Sequence, residues 1–319
     1  MATEAALAEQ QWTLPHRVAW WVTARRLLVR KPLGTFSIVV IALLVVAAVG
    51  APFVGRYDPR ETFQRVNPLY DPNSFNPQAL TPTELDRQAD PSMAHWFGTD
   101  SSGQDTWSWI IWGARRSLGI GVGALAISVT TGTLVGVVSA YFSGWVDMVL
   151  QRLMDSLQVF PALLLLILMA TYLGTNIQIF ILSLGIVGIS QVSRIVRGTV
   201  LSVREMPYVE AARVLGASDL RTMVHHILPN TAAPIIIVFT IGLGTVILAE
   251  AGLSFLGLAP PGVSWGQALN EGRNFIRTSP WQAVFSGLAI TMAVLAFNLA
   301  GDALRDIMDP RMRGSGRLS

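Results

Sequence analysis

An all-α integral membrane protein with six transmembrane helices is what this sequence predicts, and three observations carry that expectation. The 319-residue chain is 51% hydrophobic and only 13% charged, too apolar for a water-soluble domain of its length. Charge-free runs recur along it, each close to the roughly 20 apolar residues that one bilayer crossing needs. The basic residues are shared unevenly between the segments that join those runs.

Residues 1–33 combine Trp12, Trp20 and Trp21 with Arg17, Arg25, Arg26, Arg30 and Lys31. That mixture fits an interfacial helix, with indoles at headgroup depth and cations toward anionic lipid, and equally a partly ordered cytoplasmic tail. No cleavable signal peptide is expected, because the first long apolar run starts near Gly34 without a small-residue cleavage signature. Residues 34–54 are the first predicted span. Residues 55–116 are rich in Pro, Asn and Asp without sustained periodicity, which predicts a compact, loop-rich cap. It is expected either to touch a partner outside the membrane or to serve as a lid over the spans. Residues 117–311 make the helical core, beginning with a second span at 117–141. No charge occurs between Asp155 and Arg194, a stretch too long for one crossing. The turn-like Gly174-Thr175-Asn176 divides it into spans 157–173 and 177–193. The fifth and sixth spans are 231–249 and 281–301, and residues 312–319 form a tail.

Six crossings put both termini on one side. With that side cytoplasmic, the inner segments hold 15 of the 23 Lys and Arg, so both ends are assigned to the cytoplasm. The remaining basic residues lie mostly in 55–116, and a long external segment is translocated largely regardless of its charge.

Several chemistries are excluded. Without cysteine there are no disulfides, thiolate metal sites or cysteine nucleophiles. The single lysine, Lys31, is followed by Pro32, so no Gly-Lys-Ser/Thr phosphate loop exists and any ATP belongs to another chain. No H-E-x-x-H string occurs. His16 and His95 fall apart from the others, and the adjacent His225 and His226 point about 100° apart on a helix. No catalytic, cofactor-binding or metal-binding residue is assigned. The centres of the spans carry no Asp, Glu, Lys or Arg, which leaves no ion relay of the secondary-transporter kind. Glu250 and Asp302, at the ends of spans five and six, are expected to meet water or neighbouring backbone. Gly119/Gly123 and Gly132/Gly136 give the G-x-x-x-G spacing that lets helices approach closely.

Residues 207–218, PYVEAARVLGAS, are polar and small between two apolar runs. Pro207 suits a first helical turn and Gly216 a left-handed stop. Tyr208, Ala211, Ala212 and Leu215 fall at i, i+3, i+4 and i+7, one shallow apolar face flanked by Glu210 and Arg213. Ser218 can cap a second helix that begins at Asp219 and stops near Leu228, before Pro229. So short a first helix is marginal alone in water. It either packs beneath its own spans or docks into a groove of a cytoplasmic partner.

The string EAARVLGASDLRTMVHHILPN, residues 210–230, resembles the EAA loop of permease subunits of binding-protein-dependent ABC importers. That pattern reads Glu-Ala-Ala, three residues, Gly, nine residues, Ile, one residue, Leu-Pro. Glu210, Ala211, Ala212, Gly216, Leu228 and Pro229 match in register, while His226 stands where the pattern has Ile, with Ile227 beside it. HWFGTDSSGQD, residues 95–105, resembles the external His-Pro-Leu-Gly-Thr-Asp-x-x-Gly-Arg-Asp motif of the C-type dipeptide, oligopeptide and nickel permeases, departing at Trp96, Phe97 and Gln104. YFSGWVD, LAEAGLSFLGL, SWGQAL and LAFNLAGDALRDIMDPR are similar to the same branch.

The resemblance implies a permease subunit of an ATP-driven importer of di- or oligopeptides, or alternatively of nickel or another small solute. It implies a heterodimer with a second homologous permease, two ATP-binding subunits that hold ATP and Mg, an extracytoplasmic solute-binding protein, and no nucleic acid. Within the coupling loop, 198–230, the helix carrying Tyr208, Glu210, Ala211, Ala212, Arg213, Leu215 and Gly216 would couple to the ATPase, with Leu228 and Pro229 closing the motif.

Overall fold

The computed structural model describes residues 32–308, except 77, 79, 80 and 175. The expected interfacial N-terminal helix, most of the first 33 residues, and the tail at 312–319 lie outside the described residues.

Helix α1 (Pro32–Val49) is apolar on every side, the pattern of a membrane span, and it packs on neighbouring helices with Gly34, Ser37 and Val40 buried. Its 18 residues reach about 27 Å, near the thickness of a hydrocarbon core. A single turn, α2 (Ala51–Val54), leads into the cap. Helix α3 (Thr106–Phe142) is 37 residues long, about 55 Å, and starts well before the predicted second span. Asp105 sets that earlier start, because its carboxylate accepts from the Ser108 N–H and hydroxyl.

A sharp turn at Ser143 and Gly144, both with positive φ, leads into α4 (Gly144–Gln158). The predicted third span at 157–173 is corrected here: α5 (Ala162–Leu173) has only 12 residues and bends 82° from α4. Pro161 accounts for the break, since it lacks an N–H and disfavours helical backbone at Phe160. Asn176 caps α6 (Ile177–Arg204), which runs past the predicted end at 193. Then come α7 (Pro207–Val214) and α8 (Asp219–Arg221).

The second loop helix does not stop before Pro229. It widens into a π turn at Thr222–Ile227, tightens into a 3-10 turn at Leu228–Thr231 and continues as α9 (Ala232–Phe255). Widening draws the preceding carbonyls away from the proline ring, and the Asn230 side chain donates to the His226 carbonyl at 2.7 Å. Helices α10 (Trp265–Gly272) and α11 (Trp281–Met308) complete the order. Among the described residues five helices are long and apolar enough to cross a membrane, and the bent pair α4/α5 makes a sixth crossing only if the two are one broken span.

Helix α3 is central, packing most extensively on α6 and also on α1, α9 and α10. Glycines make the α3/α6 seam. A Cβ on Gly132 would lie 2.7 Å from the Val192 Cβ, and one on Gly136 2.7 Å from the Ser193 carbonyl oxygen. The Ser128 hydroxyl crosses the seam to the Gly185 carbonyl at 2.6 Å. The other expected pair divides, since Gly123 touches Ile181 while Gly119 meets nothing within 4 Å.

At the far end of α3 the cap is mostly loop, with one antiparallel pair, β1 (Gln64–Val66) and β2 (Thr83–Leu85). The 95–105 motif fastens it. Buried His95 places Nδ1 2.9 Å from Oδ1 of Asp105, the residue that caps α3. Thr99 donates its hydroxyl to the Asp86 carbonyl and accepts from the Ala89 N–H. Phe97 stacks on Phe285 of α11 at 3.8 Å between centroids. Gly98 turns with φ +75 so close to Ala89 that a Cβ would lie 2.3 Å from its carbonyl oxygen. Asp100 accepts from the N–H groups of Ser102 and Gln104, yet burial outweighs those bonds and raises its pKa from 3.8 to about 6.

The pH dependence follows from that raised value. The protonated carboxyl suits the site better than the carboxylate, so its contribution to cap stability is full below 3.8 and lost as pH rises through about 6. Hydrogen-exchange protection of the Ser102 and Gln104 amides, corrected for intrinsic rate, is expected to fall between pH 4.5 and 7.5. Asp100→Asn should flatten that fall. Protection that climbs with pH in the unmodified chain would contradict the assignment.

Candidate functional site

The site builds from the α7 end of the bundle, where α3, α4 and α6 finish or begin. Helix α7 starts at Pro207, needing no N–H there, and closes on Gly216 with φ +84. The Ala217 N–H reaches the Ala212 carbonyl and the Gly216 N–H the Arg213 carbonyl, the paired bonds of a Schellman cap. Ser218 then caps α8 by accepting from the Arg221 N–H. The predicted pair of helices joined at a glycine is present.

The predicted single apolar face is not. Val209 and Ala212, three residues apart, turn inward, and Ala212 is only 9% exposed. The helix packs by this seam on α6 and on the π turn. Ala212 therefore belongs to the chain's own interior and does not lie on the free face with Ala211. What faces outward is Tyr208, Glu210, Ala211, Arg213, Val214 and Leu215, with Val214 82% and Leu215 88% exposed. Leu220 of α8 extends that surface. Leu228 and Pro229 are exposed on the 3-10 turn, away from α7 in sequence. At the position where the motif has Ile, His226 is partly exposed, while Ile227 beside it is fully buried.

Polar bonds tie this end together. Asp147 of α4 accepts from Arg197 of α6 at both carboxylate oxygens, 2.6 and 2.5 Å, and from the Ser139 hydroxyl of α3. Two parallel bonds of this kind fix direction as well as distance. Arg194 reaches Asp155 at 2.8 Å. Arg204 donates to the Ala140 carbonyl and the Ser143 hydroxyl, closing the C-terminus of α3. A cavity of about 470 Å³ opens beside this network, lined by Asp147, Gln151, Arg152, Asp155, Arg194 and Arg197.

Glu250 departs from the expectation of a water- or backbone-facing acid. It is buried, accepting at 3.0 Å from the Ser117 hydroxyl and at 2.9 Å from that of Ser254. Two tryptophans brace the same end reciprocally: Trp265 donates to the Ile110 carbonyl, and Trp109 to that of Ser264. No group of three metal-ligating side chains occurs among the described residues.

Residues 132–314 match the family described as the binding-protein-dependent transport system inner membrane component, and residues 19–74 match the N-terminal TM domain of oligopeptide transport permease C. The chain belongs to that permease family. Within it, the permease is 36% identical to a dipeptide transport system permease of Alkalihalophilus pseudofirmus, over 96% of this chain and 93% of that one. A putative peptide transport system permease of Brucella suis is 39% identical over 92% of this chain and 93% of its own. A glutathione transport system permease of Escherichia coli is 38% identical, over 98% and 97% respectively. Among solved structures, a methionine ABC transporter in inward facing conformations shares the fold, with TM-score 0.51, 18% identity, and coverage of 63% of this chain and 97% of that one. The permease is thus a multi-pass membrane subunit of an ABC importer.

Two substitutions separate the faces of α7. Ala212→Trp should overpack the seam, at about 1–3 kcal/mol, and lower the heat resistance of the detergent-solubilised chain. Ala211→Trp, on the open face, should leave it unchanged. Equal behaviour of the two variants would count against the observed rotation of α7.

Proposed function

We propose that this permease forms half of the pathway of an ATP-driven importer of di- or oligopeptides in a bacterial cell membrane, and that α7 docks into a partner ATPase. The observation that carries the docking is the free face of α7. Tyr208, Ala211, Val214 and Leu215 stay exposed beyond the predicted spans, although Val209 and Ala212 already give the helix an internal seam. An apolar patch of that kind in water is the usual mark of a protein contact. Glu210 and Arg213 flank it and would fix orientation, while Gly216, Leu228 and Pro229 shape the loop that presents it. Relatives named for dipeptide, peptide and glutathione transport support a peptide substrate.

In this reading a second, different permease completes the pathway, two ATP-binding subunits hold ATP and Mg, and a solute-binding protein delivers peptide at the cap. Hydrolysis occurs in the partners, since the chain has no phosphate loop. Net movement arises because ATP-bound and ATP-free partners favour different arrangements of the spans. Both termini and α7 lie on the cytoplasmic side, in keeping with the basic residues there.

Leu215→Asp should weaken association with the ATPase about tenfold, the scale of 1.4 kcal/mol. Uptake of labelled di- and tripeptides should fall with it while expression and insertion persist. Wild-type association in this variant would remove α7 from the docking surface. For orientation, reporter fusions after Pro91 and after Ser218 should read opposite sides, the first external, and a cytoplasmic reading at Pro91 would reverse the assignment.

A further inference from the structure

We infer that Tyr141 is a positioning residue that carries displacement of the α7–α8 loop into α3. The inference rests on the docking of α7 proposed above. Tyr141 lies in the last turn of α3, and its buried ring packs in one apolar cluster with Val137 and Ala140 of α3, Val192, Val196, Val200 and Val203 of α6, and Ile227 of the π turn. Its hydroxyl emerges from that cluster and donates to Oδ1 of Asp219 at 2.6 Å. The guanidinium of Arg213 sits 4.9 Å from the centre of the same ring. Arg213 precedes the Gly216 turn and Asp219 follows it. One side chain of α3 therefore holds both limbs of the loop.

The chain's covalent path makes this contact informative. Helix α7 follows α6 after two residues, and α8 runs through the π turn into α9. Movement of the loop thus reaches α6 and α9 along the backbone. Helix α3, more than 60 residues upstream in the chain, has no such connection. At the loop it is joined by Tyr141, through a short bond to a carboxylate and a cation over an aromatic face. Both are directional and weaken steeply when geometry changes. Pulling α7 or α8 therefore loads the end of α3, which carries the cap at its other end.

The test uses the assembled transporter, compared nucleotide-free and trapped with ATP and vanadate, and reads hydrogen exchange separately over 207–214 and 132–142. In the unmodified complex both segments should change protection on trapping. Tyr141→Phe keeps the ring, its packing and the Arg213 contact but loses the bond to Asp219. It should leave the change over 207–214 intact and cut the change over 132–142 roughly tenfold or more, the scale of one hydrogen bond to a charged group. Asp219→Ala should reproduce that loss, and Asp219→Asn, which keeps an acceptor oxygen, should restore most of the response. An undiminished change over 132–142 in Tyr141→Phe overturns the inference. So does loss of the 207–214 change in that variant, since Tyr141 would then serve docking itself. If 207–214 is unresponsive in the unmodified complex while ATPase subunits are bound, the proposed docking of α7 fails, and this inference with it.

Discussion

Backbone contact between α3 and α6 is the constraint on which the rest of the structure depends. In a bilayer, lipid tails are as apolar as leucine, so helices gain little by hiding apolar side chains from one another. What remains is close packing and interhelical hydrogen bonding. Gly132 and Gly136 remove side chains on α3, and Gly185 and Gly188 remove them on α6, where an added Cβ would meet Ile127 or Ser128 within 3 Å. With this seam fixed, α4 is latched to α6 by the Asp147–Arg197 pair, and α7 hangs from the end of α6.

The polar side chains are placed where the apolar packing ends. At one end of α3, Asp105 serves both as helix cap and as partner of His95, so the cap and the span share one carboxylate. At the other, Arg204 covers the Ala140 carbonyl of α3 while Asp147 gathers α3, α4 and α6. Glu250 lies deeper, and its two serine donors supply bonds that water would otherwise provide. The long helix is thereby held at both ends and packed tightly between them.

Much of this was legible in the sequence, because length and charge report directly on a bilayer. The charge-free runs fell on the five long apolar helices but missed the break between α4 and α5, and Gly132/Gly136 correctly marked a seam. Helix ends were less legible: Asp105 extends α3 by capping it, a side-chain bond that hydropathy does not register. Pro229 misled for a related reason. A proline forbids one hydrogen bond, but a π turn absorbs the defect and the helix continues. At the candidate site, heptad-like spacing placed Ala211 and Ala212 on one face, whereas adjacent residues lie about 100° apart and the boundary between inward and outward falls between them. Tyr141 had its only signal in the YFSGWVD string, and its pairing with Asp219 spans 78 residues that no local pattern connects.

The right-angled junction between α4 and α5 sets a condition on the surrounding lipid. The 12 residues of α5 reach only about 18 Å, against a hydrocarbon core of about 30 Å. With α5 upright, α4 lies across it, exposing Trp145, Met148 and Leu153. A helix so placed occupies area in one leaflet alone, and a short crossing draws the bilayer thinner around itself. Were α5 to cross upright in this way, acyl-chain length and spontaneous curvature would act on the same helix that Arg197 holds to α6.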